Sequence, residues 1–419
     1  MGVNSNELRV LDAGVVRPSD LDLPPRSIPL TFFDVKWLRP PPVQRLFLYR
    51  LHRNHDVDQL ISGLKASLCK ALTLFYPLAG HVRLAPNSNN RYELFYQPGD
   101  GVPFTAAEYD ADVDDLAGPS DGEPVQVARL APLVPPLPKG RAVLAVQATV
   151  LLEGRGLVLG VTVHHSAGDG ASSTHFLHTW AAICNGAVEM PQPPIIDRTL
   201  IADPRGLYDI YSKTNQLDAL AGEATRHGVP SRRCSSMLAT YSFIWSCYCR
   251  AKKEQNQTNT THLLFSVDHR ARLKPPVPAK YFGNCCSPAI ASARHGELAA
   301  AGTGGLFTAF TAIASALEEE VGEGSQERWD GGIERVKEAA KAGMVFVVGS
   351  PKFRVYDIDF GFGRPMKVVA MSATATGSMP VADARDGGGG VEVALSFPAD
   401  GMENFQRSFA EAMHAIGMQ

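Results

Sequence analysis

His164, His165 and Asp169 stand together in the run Val161-Thr162-Val163-His164-His165-Ser166-Ala167-Gly168-Asp169-Gly170. A neutral imidazole, with an unperturbed pKa of about 6.5, is the side chain suited to accepting one proton near neutral pH. The apolar stretch 157–163 reads as a strand, and Gly168-Asp169-Gly170 as a tight turn leading into a helix. A strand end holds a side chain rigidly, so this arrangement suits a general base aimed into a cavity. Side chains alternate along a strand, so only one of the two histidines faces a given cavity. Taken alone, His-x-x-x-Asp is a common pattern and equally fits two structural histidines before a turn. Ser166 adjoins the pair but lacks the Gly-x-Ser-x-Gly elbow of a nucleophilic serine.

The elements that must carry these residues are legible in outline. Asp56 caps a helix in which Val57, Leu60, Ile61, Leu64, Leu68 and Leu72 recur at helical spacing, and Tyr76-Pro77-Leu78-Ala79-Gly80 ends it. Residues 110–123 read as an acidic loop and 130–140 as a proline-rich extended segment. Residues 143–152 and 157–163 read as a buried hairpin around Glu153-Gly154-Arg155-Gly156. A helix is expected over 171–184, with Phe176, Leu177, Trp180 and Ile183 on one side. In the second half the pattern predicts helices over 235–251 and 306–321, strands over 261–267, 368–375 and 391–397, and a last helix striped by Met402, Phe405, Phe409 and Met413. The segment 186–229 is polar and rich in proline, as a linker is.

With 419 residues, two domains are expected: 1–190, a linker 191–229, and 230–419. A net charge of −3 supplies no global field for nucleic acid or an anionic membrane. No stretch approaches about 18 consecutive apolar residues, so no membrane span is expected, and no secretory leader is visible. Seven cysteines without a C-x-x-C pair fit free thiols in a reducing cytoplasm better than a disulfide framework or a zinc site. The two sequons near residues 256–261 then mark only a polar surface loop.

Further motifs surround the histidine pair. They are Pro29-Leu30-Thr31-Phe32-Phe33-Asp34, Tyr76-Pro77-Leu78-Ala79-Gly80, Tyr281-Phe282-Gly283-Asn284-Cys285 and Asp359-Phe360-Gly361-Phe362-Gly363. In this order, with His165-x-x-x-Asp169-Gly170, they resemble the BAHD family of plant acyl-CoA-dependent acyltransferases over about residues 8–415. Tyr281 to Cys285 is similar to the signature of the branch that acylates anthocyanins and other phenolic glycosides. Phe362 stands where the family has Trp in its Asp-Phe-Gly-Trp-Gly motif. Some malonyl-specific members carry an arginine at the position occupied here by Ser173, and serine cannot hold a carboxylate bidentately.

The resemblance implies a mixed α/β chain of two chloramphenicol acetyltransferase-like domains with a solvent channel at their interface, and His165 midway along it. It implies acyl-CoA as co-substrate, no permanently bound cofactor, no metal, and a monomer. His165 is the expected general base. Asp169 is expected to act mainly through structure, paired with Arg270 or Arg272. Gly168 and Gly170 are expected to adopt backbone angles closed to other residues. Asp359, Phe360, Gly361, Phe362 and Gly363 are expected to be structural, and Thr31, Phe33 and Ser173 to line the substrate channel. CoA phosphates call for cations, and Ser350, Lys352 and Arg354 are candidates, with a solvated surface run as the alternative; Lys274 and Lys280 are weaker ones.

The expected reaction moves a malonyl or hydroxycinnamoyl group from CoA to a hydroxyl of a flavonoid, anthocyanin or other phenolic glycoside. An amine or simple alcohol acceptor is the alternative within that class. A non-catalytic binding protein of the same fold is the alternative outside it. A peptide-condensing domain shares the His-His-x-x-x-Asp-Gly pattern, but no carrier domain fits in this chain.

Overall fold

Strands Leu144–Leu151 and Gly156–Val163 are buried along their whole length, which is why their sequences run apolar without alternation. They form the middle of a six-stranded sheet in the computed structural model, which describes residues 8–415 apart from 21, 53–55, 87, 89, 119–126, 139, 141, 152–155, 215–235, 253–257, 323, 375–376 and 398. The strand order is Leu8–Val16, Val102–Tyr109, Leu144–Leu151, Gly156–Val163, Val43–Arg50 and Lys367–Ala370. Val102–Tyr109 pairs with Leu144–Leu151 in parallel, and the other neighbours are antiparallel.

Helices Val57–Leu74 and Gly170–Asn185 pack together over this sheet, tied by a 3.0 Å hydrogen bond that the Trp180 indole donates to the Ser67 hydroxyl. The first helix begins where the sequence predicts it, because the Asp56 carboxylate accepts from the amides of Asp58 and Gln59.

A second sheet has the order Cys286–Arg294, Thr260–Asp268, Met344–Gly349, Ser378–Asp383 and Val391–Val393. Helices Ser236–Lys252, Gly304–Val321 and Ala399–Ala415 accompany it around a core that includes Trp245, Phe265, Ile313 and Met379. A small sheet of Arg26–Pro29, Tyr92–Tyr96 and His81–Leu84 completes the strands. The chain is therefore mixed α/β, with a separate sheet and core in each half. No helix among the described residues is long and apolar enough to cross a membrane.

The halves are not cut cleanly at the linker. Strand Lys367–Ala370 closes the first sheet by pairing with Val43–Arg50, and Val355, Tyr356, Ile358, Phe360 and Phe362 lie in the first core. Residues 191–229, read as a linker, contain the helix Leu207–Thr214 and a buried arginine, Arg198, within their described part. Their remainder from 215 lies outside the described residues, as do most of the expected hairpin turn and residue 235, where a helix was expected to start.

Other expectations also change. The acidic stretch holds a short helix, Val113–Ala117, capped by Asp112. The proline-rich stretch opens with the 3-10 turn Ala131–Leu133 before it extends. The two late strands end early: 368–375 breaks into a 3-10 turn at Met371–Ala373, and only Val391–Val393 of 391–397 pairs. Hydrophobic pattern alone does not mark where a neighbouring strand stops offering hydrogen bonds.

Candidate active site

Strand Gly156–Val163 delivers the histidine pair to a single turn of 3-10 helix, His165–Ala167. His164 caps that turn, its Nδ1 lying 3.3 Å from the Ser166 amide, which donates to it, and 2.7 Å from the Ser166 hydroxyl. Asp169 then caps helix Gly170–Asn185 by accepting from the Ser172 amide at 3.0 Å. The two histidines point to different surroundings, although the strand ends at Val163 and the turn, rather than strand alternation, sets their directions. A cavity of about 280 Å³ lies beside His164, lined also by Arg39, Asn90, Tyr92 and Ser212. His165 instead faces groups from both halves of the chain.

The His165 ring stacks on Trp37 with centroids 3.7 Å apart and planes inclined by 9°. Its backbone carbonyl accepts from the Asn284 side-chain amide at 2.8 Å. Its Nδ1 is buried with no hydrogen-bond partner among the described residues. Burial pushes the pKa down to about 4; the residue's own carbonyl, Asp169 and Asn284 pull it upward, and Lys36 pushes it further down. The imidazole is therefore neutral across the physiological range, its pKa well below the ordinary value.

Asp169 is 3% exposed and is held from several sides. Its two oxygens receive the Arg270 guanidinium at 2.9 and 3.0 Å, a bidentate pair. The Cys285 amide donates to it at 3.1 Å and the Cys286 thiol at 3.4 Å. Burial raises the Asp169 pKa, and Arg270 with the amides of Ser172 and Cys285 more than reverses this, leaving it below the usual carboxylate value. Arg270 also donates to the carbonyls of Tyr281 and Gly283, so one guanidinium ties the Asp169 turn to the Tyr281-to-Cys285 loop. Of the two arginines expected to compete for Asp169, Arg272 turns back to the Asp268 carbonyl and takes no part.

A second buried pair backs the first. Asp34, fully buried, meets Arg198 at 3.1 Å and accepts from the amide and side chain of Asn284, both at 3.0 Å. Arg198 donates to the carbonyls of Phe282 and Ala167. Asp34, Asn284 and Arg198 thus clamp the histidine turn, the short helix Phe32–Val35 and the Tyr281 loop into one unit. Asp34 and Asn284 lay inside recognised motifs without an assigned role. Arg198, Trp37 and Lys36 carried no sequence signal, because their importance comes from neighbours distant along the chain.

Several expected site residues sit elsewhere. Phe33 is 1% exposed and packs on Trp329 and His269, so it is core rather than channel wall. Thr31 is buried and donates its hydroxyl to Asp34 at 2.8 Å. Ser173 is half-buried, its hydroxyl donating to the Gly170 carbonyl at 3.2 Å. Gly168 has φ 174°, an extended geometry open to any residue, and Gly170 starts a regular helix, so unusual backbone angles do not explain either. Space does: an added Cβ would lie 2.9 Å from the Ser172 Cβ at position 168 and 2.6 Å from the Phe353 ring at position 170.

That contact places Ser350, Lys352 and Arg354 beside the start of the catalytic helix. The Phe353 carbonyl lies 3.0 Å from the His178 Nε2, and Lys352 is exposed. The Ser350 hydroxyl accepts from the Lys352 amide, while Arg354 pairs with Asp357.

The Asp359-to-Gly363 motif folds on itself. The Asp359 carboxylate accepts from the amides of Gly361 and Gly363 at 2.8 and 2.9 Å, and both glycines have φ near +100°. Phe360 packs edge-on against Trp180 at 4.8 Å, and Phe362 against Tyr49 at 4.9 Å. These contacts are aromatic packing, which a phenyl ring satisfies in place of an indole.

Mixed α/β halves joined around a neutral, rigidly held histidine define an acyltransferase scaffold. The sequence model of the family described as "Transferase: Transferase family" matches residues 8–209 and 205–412, and the chain belongs to this family, the BAHD acyltransferases. It is 31% identical over 438 residues to the malonyl-coenzyme:anthocyanin 5-O-glucoside-6'''-O-malonyltransferase of Salvia splendens, covering 93% of each chain. It is 27% identical over 456 residues to coumaroyl-CoA:anthocyanidin 3-O-glucoside-6''-O-coumaroyltransferase 1 of Arabidopsis thaliana, covering 95% of this chain and 96% of the relative. The crystal structure of vinorine synthase shares the fold, with a TM-score of 0.68 at 21% identity over 95% of this chain and 96% of that one.

Proposed function

We propose that the chain transfers a malonyl or hydroxycinnamoyl group from CoA to a hydroxyl of a flavonoid, anthocyanin or other phenolic glycoside, with His165 as general base. The observation that carries this reading is His165: its ring is neutral and stacked on Trp37 from the first half of the chain, and its backbone carbonyl is held by Asn284 from the second. Because Nδ1 is buried, Nε2 is the ring nitrogen assigned to meet the acceptor.

The acceptor hydroxyl gives its proton to Nε2 as its oxygen bonds to the thioester carbonyl carbon. The tetrahedral intermediate then expels the CoA sulfur, and the imidazolium returns the proton to it. Base assistance of this kind is worth ~10²–10⁴ in rate. Positioning of both substrates and donors to the oxyanion supply the rest. Asp169 and Arg270 serve as positioning residues, since their hydrogen bonds run to the loop and helix around the base rather than to its ring. Lys352 and Arg354 offer charge for the CoA phosphates. We read the protein as a cytoplasmic monomer that uses acyl-CoA as co-substrate, without a resident cofactor or metal.

A panel of acyl-CoAs and phenolic glucosides with free-thiol detection tests this. Thiol release matched by acylated product is expected, with a ~10²–10⁴-fold lower kcat in His165→Ala at unchanged melting temperature. Full activity in that variant, or no product from any pair, overturns the reading.

A further inference from the structure

Lys36 is a cation whose charge reaches the proposed base, and no ion pair given above uses it. Its ammonium lies 5.7 Å from the Trp37 ring, and Trp37 in turn stacks on His165 at 3.7 Å. Its hydrogen-bond partner is a neutral group, the Cys286 carbonyl, at 2.7 Å. The two carboxylates whose charge it feels are engaged elsewhere. Asp34 is taken by Arg198, Asn284 and Thr31, and Glu320 by Ser287, Trp329 and His269. A cation held this way, between ring faces and a carbonyl, retains capacity for an anion.

The position also has access. Asp34, Asp169, Arg270 and Asn284 are buried, whereas Lys36, Trp37, His165 and Cys286 each keep part of their surface exposed. Distances set what can arrive there. An acceptor oxygen sits about 3 Å from its base, and the thioester carbon about 3 Å from that oxygen. A carboxylate two bonds beyond the thioester carbon adds about 2.5 Å. Because both lie against the Trp37 ring, the His165 ring and the Lys36 ammonium are at most about 9 Å apart, which is within reach of those spans.

We infer that Lys36 selects acyl donors that end in a carboxylate, malonyl-CoA being the shortest that fits, by pairing its ammonium with the donor's free acid group. This rests on the acyltransferase reading above. Ser173, which cannot form a bidentate pair, leaves that task unfilled on its own helix, and Lys36 supplies the charge from the end of helix Phe32–Val35. Burial lowers the Lys36 pKa, and an arriving carboxylate favours the charged form again.

The test compares malonyl-CoA with acetyl-CoA at one acceptor in the wild type, Lys36→Met and Lys36→Arg. The ratio of kcat/KM for the two donors is read within each variant, so a partly folded preparation does not distort it. Loss of one charge-assisted contact lowers the malonyl-to-acetyl ratio about 10–100-fold in Lys36→Met, chiefly through KM, and Lys36→Arg restores most of it. Calorimetric affinities for the two CoA esters should shift in the same ratio. An unchanged ratio in Lys36→Met, an equal loss with both donors, or a wild type that favours acetyl-CoA removes the inference alone. Absence of thiol release from every donor removes the acyltransferase reading and the inference with it.

Discussion

Replacing Asp169 by asparagine separates a structural aspartate from a proton relay. The carboxylate receives Ser172 N–H, both terminal nitrogens of Arg270, Cys285 N–H and the Cys286 thiol. Asparagine keeps one acceptor oxygen, which can still cap the helix, because Asn caps about as well as Asp. Its NH2 then stands where Oδ2 stood, facing the donors of Arg270, Cys285 and Cys286. Arg270, 4% exposed, is left with Asp268 at 3.3 Å, whose side chain is 55% exposed and correspondingly screened. Breaking one partner of a buried pair costs about 3–5 kcal/mol; the surviving oxygen and Asp268 place this case near the lower end.

With about 2.1 cal/mol/K of unfolding entropy per residue over 419 residues, each kcal/mol is worth roughly 1 °C, so the melting temperature should fall by on the order of 3–4 °C. Activity should fall with it, because a loosened Cys285 releases Asn284 from the His165 carbonyl. The native carboxylate titrates below its unfolded value, so its contribution is present above about pH 3.9 and is lost as pH falls through the depressed native pKa. The melting temperature of Asp169→Asn should therefore depend less on pH in that acid window. Calorimetry beside steady-state kinetics decides. An unchanged melting temperature with kcat reduced more than about 10³-fold would mean that Asp169 acts on the chemistry, and the structural argument would be wrong.

Other expectations follow from the same geometry. Because burial lowers the His165 pKa to about 4, kcat/KM should stay level from pH 8 to pH 5 and fall only near that value; an acid limb near 6.5 would show a solvated ring. Over the interval between 6.5 and about 4 the unfolded chain binds a proton that the folded imidazole does not, so His165 makes the fold less stable as pH drops through it, and equilibrium unfolding with His165→Gln as reference reads this. Gly170→Ala drives a methyl into the Phe353 ring and should cost about 1–3 kcal/mol. It should also raise KM for acyl-CoA by displacing the loop of Lys352 and Arg354, and an unaltered KM would detach that loop from CoA.

His165 and Asp169 were singled out by the order of motifs that resemble a known family, since His-x-x-x-Asp alone fits a structural pair equally well. The histidine pair at a strand end, the capping Asp169 and the self-closing Asp359-to-Gly363 turn are local devices, set by residues within a few positions of one another. Helix Val57–Leu74 and the buried strand pair were equally local, since amphipathic period and continuous apolar runs need no distant information. What the chain did not disclose was which groups meet across it. Arg198 lies in a stretch that reads as linker, yet it closes on Asp34, and Asp34 closes on Asn284, which holds His165. Strand Lys367–Ala370 belongs by sequence to the second half and by hydrogen bonding to the first. Phe33 and Thr31, expected at the channel, are packed inward. The basicity of His165 was likewise settled by folding, because an imidazole's pKa depends on how much water its neighbours exclude, and those neighbours come from more than a hundred residues away.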